Sequence, residues 1–513
     1  MKKREKIISG ILLAVMSATM LSSCGSLHKS GDVKELSLYA VSQDVAYDQN
    51  LPIWKKAEEL TGIRLINTVS SSVTDENSAF GTMLLSKKLP DIIRSKNRKL
   101  RDMAKDDGLI ALDEYFDIAP NLKAFFEACP DAVDVATVND GHIYFVPGTT
   151  TDLDKQDTPS TGFFIRKDWL EKLNLDIPTT IEELHNVLYA FKTQDPNGNG
   201  TADEIPFFQR EKSINVLLNL YCTSKGFMKS EDGKDVVFGG TTDNYRKAIK
   251  EYSKWYKEGL IDNEIYTRNQ AREQLLGQNV GGCTADWFSS TGKFNDSYAD
   301  MVEGLDFSPI LPPQNINGEI TWPDTRGALH GMGWGISKDC NKDDIEDAVK
   351  YLDFWMSEEG CKLMAYGVEG ISYTIGSDGS IIWSDEALAY ADGLPGYRRS
   401  IGFMETGTVG IMEAEKAGMN ETALEGYDMY ESIVKNTKLP DLNYTDEEQE
   451  IYNKYYNDIN TYVGEQQQKW IMGKGDIDSE WDSYISTLNS MGLDELKKIT
   501  HDAYVRRLKN IGK

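Results

Sequence analysis

The chain reads Leu36-Ser37-Leu38-Tyr39-Ala40-Val41 and, after residues 51–61, Ile63-Arg64-Leu65-Ile66-Asn67-Thr68-Val69. Both quoted segments are short and mostly apolar, which favours β-strands. Residues 51–61 have the composition of a helix. Pro52 stands near its start and Gly62 just after its end, where these residue types favour helix boundaries. Strand, helix and strand in succession predict a parallel α/β unit.

The same alternation returns later in the chain. Residues 89–93 and 161–165 are short apolar segments that predict strands, and the second leads into a predicted helix at 166–173. Thr180 and Glu183 form a capping-box pattern that opens another helix. That helix places four apolar side chains on one face, at Ile181, Leu184, Leu188 and Phe191. The chain has 513 residues, too many for one core, so the fold class is α/β with at least two domains.

The N-terminal segment has the organisation of an export signal. A basic start, Lys2-Lys3-Arg4-Glu5-Lys6, precedes an apolar run from Ile7 to Leu21 and then Ser22-Ser23-Cys24. The run is too short and too polar for a membrane span, which needs roughly 20 strongly apolar residues. Residues 1–24 resemble the lipobox segment of bacterial lipoproteins. The resemblance implies that Cys24 is the lipidated mature N-terminus, with the protein anchored on the extracellular face of the cell membrane. An ordinary secretory signal with a chance cysteine is the alternative.

The charge of the chain limits its partners. Lys and Arg total 55 against 82 Asp and Glu, for a formal charge of −27. Such a surface repels nucleic acid and anionic lipid headgroups, so no nucleic acid partner is expected. The charge also disfavours a strongly polyanionic ligand, although a cleft can carry a local field of the opposite sign.

Cysteine usage gives no sign of a disulfide framework. Five cysteines follow Cys24, at wide spacings: Cys129, Cys222, Cys283, Cys340 and Cys361. The odd number and the spacings indicate neither paired disulfides nor a zinc site. Buried free thiols are the expected state of these side chains.

A calcium-loop pattern lies at residues 195–204. Oxygen-bearing side chains stand at positions 1, 3, 5 and 9 of an EF-hand-type loop, and Gly200 stands at position 6, where the loop turns sharply. Thr201 would contribute its backbone carbonyl. The usual Glu at position 12 is replaced by Pro206, which leaves Glu204 as the available bidentate carboxylate. The predicted ligands of a structural calcium ion are Asp195, Asn197, Asn199, Thr201, Asp203 and Glu204. An Asn-Gly-rich turn that binds nothing is the alternative.

Several motifs together resemble one family. They are Thr161-Gly162-Phe163-Phe164-Ile165-Arg166-Lys167-Asp168-Trp169-Leu170, Asp140-Gly141-His142-Ile143-Tyr144-Phe145-Val146-Pro147, Tyr366-Gly367-Val368-Glu369-Gly370, and Trp481-Asp482-Ser483-Tyr484 before Met491-Gly492-Leu493. Through these motifs, which together span nearly all of the mature chain, it resembles the extracellular solute-binding lipoproteins of carbohydrate ABC importers, family 1. The branch that it resembles includes the alginate-binding proteins, which have a calcium site in a matching loop.

The resemblance implies a periplasmic-binding-protein-like fold of type II. Two α/β lobes are joined by hinge strands and close on a ligand in the cleft between them. The expected segments are a signal peptide at 1–23, a flexible tether at 24–34, lobe 1 at 35–155 and 328–390, and lobe 2 at 156–327 and 391–513. The implied protein is a monomer whose partners are an oligosaccharide, the permease subunits of an ABC importer, and the membrane through the anchor at Cys24.

Aromatic side chains in a cleft can stack on the flat C–H patches of sugars, while polar side chains bind the hydroxyls. Trp287 follows an apolar segment and precedes the small polar residues Ser289 and Ser290, as a sugar-stacking aromatic of the family does at the end of a comparable strand. Asp286 could accept hydrogen bonds from sugar hydroxyls. The alternative is that Trp287 only caps its lobe.

Other substrate-binding candidates rest on position alone. Gln43 and Asp44 follow the first strand, where open α/β sheets bind ligands. Trp334 lies in a Gly-rich strand, and Tyr373 follows the 366–370 motif near an expected crossover. Arg166 could donate to hydroxyls, but an Arg next to Lys167-Asp168 is more often a solvated helix start.

Enzyme classes receive little support from the sequence. A glycoside hydrolase needs two placed carboxylates, and none of the many acidic residues is singled out. There is no nucleophile elbow, no His-Glu-x-x-His and no P-loop motif. The sequence therefore predicts a non-catalytic binder that delivers sugar to an ABC permease. A surface-anchored glycan hydrolase and a sugar-sensing lipoprotein remain the alternatives.

Overall fold

The computed structural model describes residues 33–42, 46–138, 140–153, 157–269 and 272–512. The predicted signal segment, Cys24, most of the tether, and the candidates Gln43 and Asp44 lie outside these ranges. Within them, no helix has the length and hydropathy that a bilayer span requires.

Fifteen strands form the sheets of the described chain: β1 (Lys34–Tyr39), β2 (Ile63–Asn67), β3 (Ile92–Lys96), β4 (Phe145–Thr149), β5 (Thr158–Pro159), β6 (Thr161–Arg166), β7 (Ile205–Phe207), β8 (Phe227–Lys229), β9 (Val236–Phe238), β10 (Gly281–Trp287), β11 (Phe307–Ile310), β12 (Thr325–Arg326), β13 (Leu329–Ile336), β14 (Tyr373–Ile375) and β15 (Ile381–Trp383).

Twenty α-helices accompany these strands: α1 (Pro52–Thr61), α2 (Glu76–Leu84), α3 (Asn97–Lys105), α4 (Pro120–Ala128), α5 (Pro130–Ala136), α6 (Lys167–Leu173), α7 (Ile181–Thr193), α8 (Asp243–Lys257), α9 (Arg272–Gly277), α10 (Phe288–Thr291), α11 (Phe294–Tyr298), α12 (Ile345–Met356), α13 (Glu358–Tyr366), α14 (Asp385–Leu388), α15 (Gly393–Ser400), α16 (Met412–Lys416), α17 (Glu421–Glu431), α18 (Asp446–Ile471), α19 (Ile477–Ser490) and α20 (Leu493–Asn510).

The first lobe is built on a five-stranded sheet in the order β2-β1-β3-β13-β4. Strands β1, β2 and β3 are parallel, as the strand–helix–strand pattern predicts, and β13 runs antiparallel to β3 and β4. Helix α1 ends at Gly62, whose positive φ of 72° lets its N–H bond to the carbonyl of Glu58. A core drawn from residues 36–146 and 334–414 fills this lobe.

The second lobe is built on a four-stranded sheet in the order β11-β6-β10-β7. Strand β6 pairs antiparallel with β10 and β11, and β10 runs parallel to β7. A second core takes residues from 163–322 and 412–504, including the long C-terminal helices. The predicted α/β architecture with two lobes is therefore confirmed.

Three crossings join the lobes. The first two carry β5 and β12, which pair antiparallel with Arg326 opposite Thr158. The third comes later than the expected boundary at residue 390. Leu394, Tyr397, Ile401 and Met404 still pack in the first core, and the chain joins the second core only at 412–423. Lobe 1 therefore extends to about the start of α16, because the apolar face of helix α15 packs in the first core.

The cysteines conform to the sequence expectation. The five described cysteines are all free thiols, and four of them are buried: Cys129, Cys283, Cys340 and Cys361. Cys222 is half-buried.

The cap of helix α7 differs in one respect from the predicted capping box. The Thr180 hydroxyl accepts from the Glu183 N–H as expected, but the Glu183 carboxylate accepts from the N–H and hydroxyl of Thr179 instead of Thr180.

Candidate functional site

An exposed tryptophan stands at the end of a central strand of lobe 2. Trp287 is the last residue of β10, and its side chain is 37% exposed although the six residues before it are buried. Its partner in the neighbouring strand is Thr161, the first residue of β6, which follows the β5 crossing. A large aromatic surface is therefore available to ligand at the point where lobe 2 meets the hinge.

The neighbouring carboxylate of Asp286 already has charged partners. Asp286 is only 3% exposed, and it forms ion pairs with Arg210 (2.9 Å) and Arg272. The same carboxylate accepts from the backbone N–H of Trp287 at 2.7 Å. Asp286 is thus held by two arginines and by the Trp287 backbone, and it is not open to sugar hydroxyls, in contrast to the sequence expectation. Its position fixes the backbone from which Trp287 projects.

A hinge residue brings a positive charge to the tryptophan. Arg326 in β12 lies with its guanidinium carbon 5.8 Å from the centre of the Trp287 ring. The same guanidinium pairs with Glu415 on α16 at 2.5 Å. The three side chains come from β10, the second crossing and the third crossing. They form a joint between the lobes in which an aromatic face lies next to a hydrogen-bonding ion pair.

Lobe 1 contributes a second group of polar side chains. Arg94 on β3 is buried, and it donates to the carbonyls of Glu405 (2.7 Å) and Val41 (2.9 Å). Burial lowers the pKa of Arg94 to about 10, and burial also lowers the pKa of His330 at the start of β13. His330 interacts electrostatically with Glu405, Arg326, Glu415 and Arg94. These electrostatic interactions of His330 link the hinge pair to the lobe 1 group.

The remaining sequence candidates lie elsewhere. Trp334 is only 1% exposed and packs against Tyr351 and Trp355 in the first core, so its ring has no face to offer a sugar. Arg166 is also 1% exposed. Its guanidinium pairs with Asp168 at 2.5 Å and lies 4.4 Å from the Trp169 ring, so it is neither a hydroxyl donor nor a solvated helix start. Tyr373 is buried in the β14–β15 hairpin against Tyr366.

The predicted calcium loop forms a compact turn between α7 and β7. Both carboxylate oxygens of Asp195 accept backbone N–H groups, from Asn199 (3.1 Å) and Gly200 (3.0 Å). The side-chain amides of Asn197 and Asn199 donate to Asp203 at 3.0 and 3.1 Å. Across the described ranges, no group of three or more His, Cys, Asp and Glu side chains is arranged to hold a metal ion. Two of the predicted ligand positions of this turn, Asn197 and Asn199, therefore carry amides and not carboxylates.

The buried carboxylate of Glu204 bears on whether the residues of this loop could bind a cation. Glu204 is 1% exposed, and neither of its carboxylate oxygens has a hydrogen-bond partner within the described structure. Burial raises the pKa of Glu204, and the charges of Asp203 and Asp195 act in the same direction. An unpartnered buried carboxylate beside two further carboxylates and two amide oxygens is the donor set that a hard cation prefers. The residues present therefore fit calcium.

Comparison with known families decides the class of the protein. Residues 52–360 match the model of the bacterial extracellular solute-binding proteins. The chain belongs to this family. The order β2-β1-β3-β13-β4, with one antiparallel strand from the second half of the sequence, accordingly confirms the predicted type II fold.

Individual family members cover most of this solute-binding chain. The fructooligosaccharide ABC transporter substrate-binding protein FusA of Streptococcus pneumoniae serotype 4 is 28% identical over 453 residues, 81% of this chain and 80% of FusA. The lipoprotein LipO of Bacillus subtilis is 25% identical over 420 residues, 78% of this chain and 80% of LipO.

Solved structures agree with this assignment. The alginate-binding protein AlgQ2, determined without calcium ion, has 31% identity and a TM-score of 0.75, covering 93% of this chain and 98% of its own. The Streptococcus pneumoniae FusA EF-hand mutant in complex with fructo-nystose shares the fold, with 22% identity, a TM-score of 0.69, and coverage of 93% and 100%.

Sequence reasoning missed the polar residues around the hinge. Arg94, Arg326, His330, Glu405 and Glu415 are distant from one another in sequence and belong to no recognisable motif. Arg326 and Glu415 are 89 positions apart. Only the folding of three crossings around one hinge brings them together.

Proposed function

We propose that this solute-binding protein captures an oligosaccharide outside the cytoplasm and delivers it to the permease of an ABC importer. The observation that carries the proposal is the position of Trp287, an exposed ring at the lobe boundary beside the Arg326–Glu415 pair. The ring can cover an apolar sugar face, and the flanking charged groups can bind hydroxyls. Relatives described as binding fructooligosaccharides and alginate support a saccharide ligand.

Closure of the lobes gives the binding site its transport role. Trp287 belongs to lobe 2, Arg94 and His330 belong to lobe 1, and Arg326 lies in the hinge. A sugar that touches all three regions favours the closed arrangement, because it makes more contacts there than in an open one. The permease can then distinguish the loaded protein from the empty one by its shape.

The charges near Trp287 favour binding over hydrolysis. A glycosidase needs one carboxylic acid that stays protonated to donate to the leaving group. Asp286 is paired with two arginines and Glu415 with one, so both carboxylates are already engaged as acceptors of guanidinium groups. Neither group is arranged as a general acid, which supports a non-catalytic protein.

The loop at 195–204 is the proposed structural calcium site. Its ligands would be the side chains of Asp195, Asn197, Asn199, Asp203 and Glu204 with the carbonyl of Thr201. A calcium ion supplies positive charge for the buried carboxylate of Glu204, which is unpartnered in the described structure. A relative solved as an EF-hand mutant supports the assignment. The loop follows α7 in lobe 2, so the ion would stabilise that lobe without touching sugar.

Cys24 is the proposed lipid anchor. A lipoprotein relative supports this proposal, together with the basic, apolar and small residues that precede the cysteine. The anchor would keep the binding protein beside its permease on the extracellular face of the membrane.

A ligand screen with a product assay tests the function. Thermal shift against neutral and acidic oligosaccharides should identify at least one ligand that raises Tm, because a ligand that binds only the folded state stabilises it. Chromatography of that ligand after incubation should recover it uncleaved. Trp287→Ala should weaken its binding at least about tenfold, the equivalent of roughly 1.4 kcal/mol.

Tyr189 provides the matched control. Its side chain is 50% exposed on α7 of the same lobe, so Tyr189→Ala removes a surface aromatic away from Trp287. This variant should bind the ligand as the wild type does. Cleavage of the ligand, or equal affinity of the Trp287→Ala and wild-type proteins, contradicts the proposal.

A further inference from the structure

A groove separate from Trp287 lies between one helix of each lobe. Helix α3 of lobe 1 forms one wall, α18 of lobe 2 forms the other, and residues 439–444 form the floor. The cavity has a volume of about 460 Å³, within the range of small-molecule sites. Arg101 and Lys105 of α3 bind the floor through the carbonyls of Leu442 (3.2 Å) and Tyr444 (3.0 Å), so the two lobes are joined here.

The hinge separates this groove from the proposed sugar cleft. Neighbouring residues along an extended chain point to opposite faces. Arg326 points to Trp287 and Glu415, whereas Thr325 and Gly327 line a cavity on the other face. That cavity shares residues 439–441 and Asn97 with the groove. The groove therefore opens on the face of the hinge opposite the tryptophan.

The groove concentrates positive charge in an acidic protein. Four cationic side chains line it, against the two carboxylates of Asp102 and Asp441: Arg98, Arg101, Lys105 and Lys225. Among the ion pairs of the described residues, none involves Arg98 of lobe 1 or Lys225 of lobe 2. Two unpaired cations that face one cavity from opposite lobes favour an anionic ligand, and the overall charge of −27 makes this local excess unusual.

The opposite wall has the chemistry of a sugar-binding surface. Tyr452 and Tyr456 stack on one another with ring centres 4.6 Å apart and an interplanar angle of 15°. Gln449 and Asn460 lie on the same face of α18, and Asn215 closes one end of the groove. Aromatic rings offer apolar contact to sugar rings, amides exchange hydrogen bonds with hydroxyls, and arginine binds carboxylates.

We infer that the groove between α3 and α18 is a second ligand site, which binds an anionic oligosaccharide. This site goes beyond the proposed function and does not depend on sugar binding beside Trp287. Its walls belong to different lobes, so the ligand contacts both and is bound only when α3 and α18 are close together.

Isothermal titration with trigalacturonate tests the site. All proteins carry Trp287→Ala, so that the sugar cleft contributes little to the signal. In this background trigalacturonate should bind, and Arg98→Gln with Lys225→Gln should weaken binding about tenfold, because two charge-assisted contacts are lost. Binding should also weaken as salt is raised from low to high concentration.

Lys55→Gln with Lys87→Gln is the matched control, since it removes two exposed positive charges of lobe 1 away from the groove. Its affinity should equal that of the background protein, and thermal melts should show that both double variants are folded. Absence of trigalacturonate binding, or equal binding by the two double variants, overturns the site. Equally tight binding of galactotriose overturns its preference for anions. Competition by inorganic phosphate at equal concentration assigns the groove to simple anions and overturns the oligosaccharide.

Discussion

At the scale of single residues, burial separates the candidates that can meet a ligand from those that cannot. Trp287 and Trp334 both follow small residues in strand-like sequence, yet one ring is 37% exposed and the other 1% exposed. The difference arises because Trp287 ends its strand, whereas Trp334 lies within β13 and points into the first core. In this protein, the tryptophan at a strand end is therefore the better candidate for ligand contact than the tryptophan inside a strand.

Two histidines should affect stability in opposite directions as pH falls. Burial lowers the pKa of His330, so below the ordinary histidine pKa of about 6.5 the unfolded state binds a proton that the folded state resists. Wild-type protein therefore loses stability through His330 as the pH falls from 7 to 5. His330→Gln should make this fall shallower, measured by urea unfolding at both pH values. The groups facing His330 are Glu405, Arg326, Glu415 and Arg94.

His142 is the matched control with the opposite sign. Its hydrogen bond with Asp113 raises the pKa of His142, so the protonated form stabilises the folded state at acidic pH and this stability is lost as pH rises. His142→Gln should therefore make the fall in stability from pH 7 to 5 steeper. Parallel pH profiles of the two variants would contradict both assignments.

At the scale of elements, the loop between α7 and β7 stands out from the neighbouring turns. This turn leaves both carboxylate oxygens of the buried Glu204 without a hydrogen-bond donor in the described structure. Asp195 has a left-handed φ of 46°, which residues with a side chain adopt infrequently, whereas Gly200 takes its φ of 74° without strain. These two features make the loop the place to test the proposed calcium site.

Calcium should stabilise the folded protein through Glu204. EDTA should lower Tm by several degrees, and added calcium should restore it, because the ion binds the folded loop alone. Glu204→Gln should remove most of this response, and without calcium it should melt no lower than wild type, since it replaces an unpartnered buried charge by a neutral amide.

Glu183→Gln is the control for this experiment. Glu183 lies in the exposed first turn of α7 in the same lobe and accepts from Thr179, so this change should leave the calcium response intact. If EDTA leaves the wild-type Tm unchanged, or if the Glu204→Gln and wild-type proteins respond alike, the loop does not bind calcium.

At the scale of the whole molecule, the lobes are joined by more than the hinge. Arg507 near the end of α20 pairs with Asp134 on α5 at 2.5 Å and with Asp131, so the last helix of lobe 2 contacts lobe 1 directly. The C-terminal helices belong to the second core, yet they also limit the relative positions of the lobes. Any change in the angle between the lobes would change these contacts as well as the hinge strands.

The proposed lipid anchor at Cys24 predicts how the signal peptide of the protein is removed. Globomycin should leave an uncleaved precursor, and Cys24→Ala should abolish labelling by radioactive palmitate, because the acyl chains would be attached at this cysteine. Cys222→Ala, which changes a half-buried thiol, should be labelled as the wild type is. Normal processing under globomycin, or labelling of the Cys24→Ala variant, would falsify the assignment.

The α/β class, the parallel β1–β2 unit, the family and the position of Trp287 follow from sequence by itself, because strand and helix periodicity and short motifs are local properties of the chain. The tertiary structure alone decided the partners of Asp286, the burial of Trp334 and Arg166, and the extension of lobe 1 past residue 390. It also decided the meeting of Arg326 with Glu415 and the groove between α3 and α18. Each of these depends on contacts between segments far apart in sequence, and no local pattern records which distant side chains a folded chain brings together.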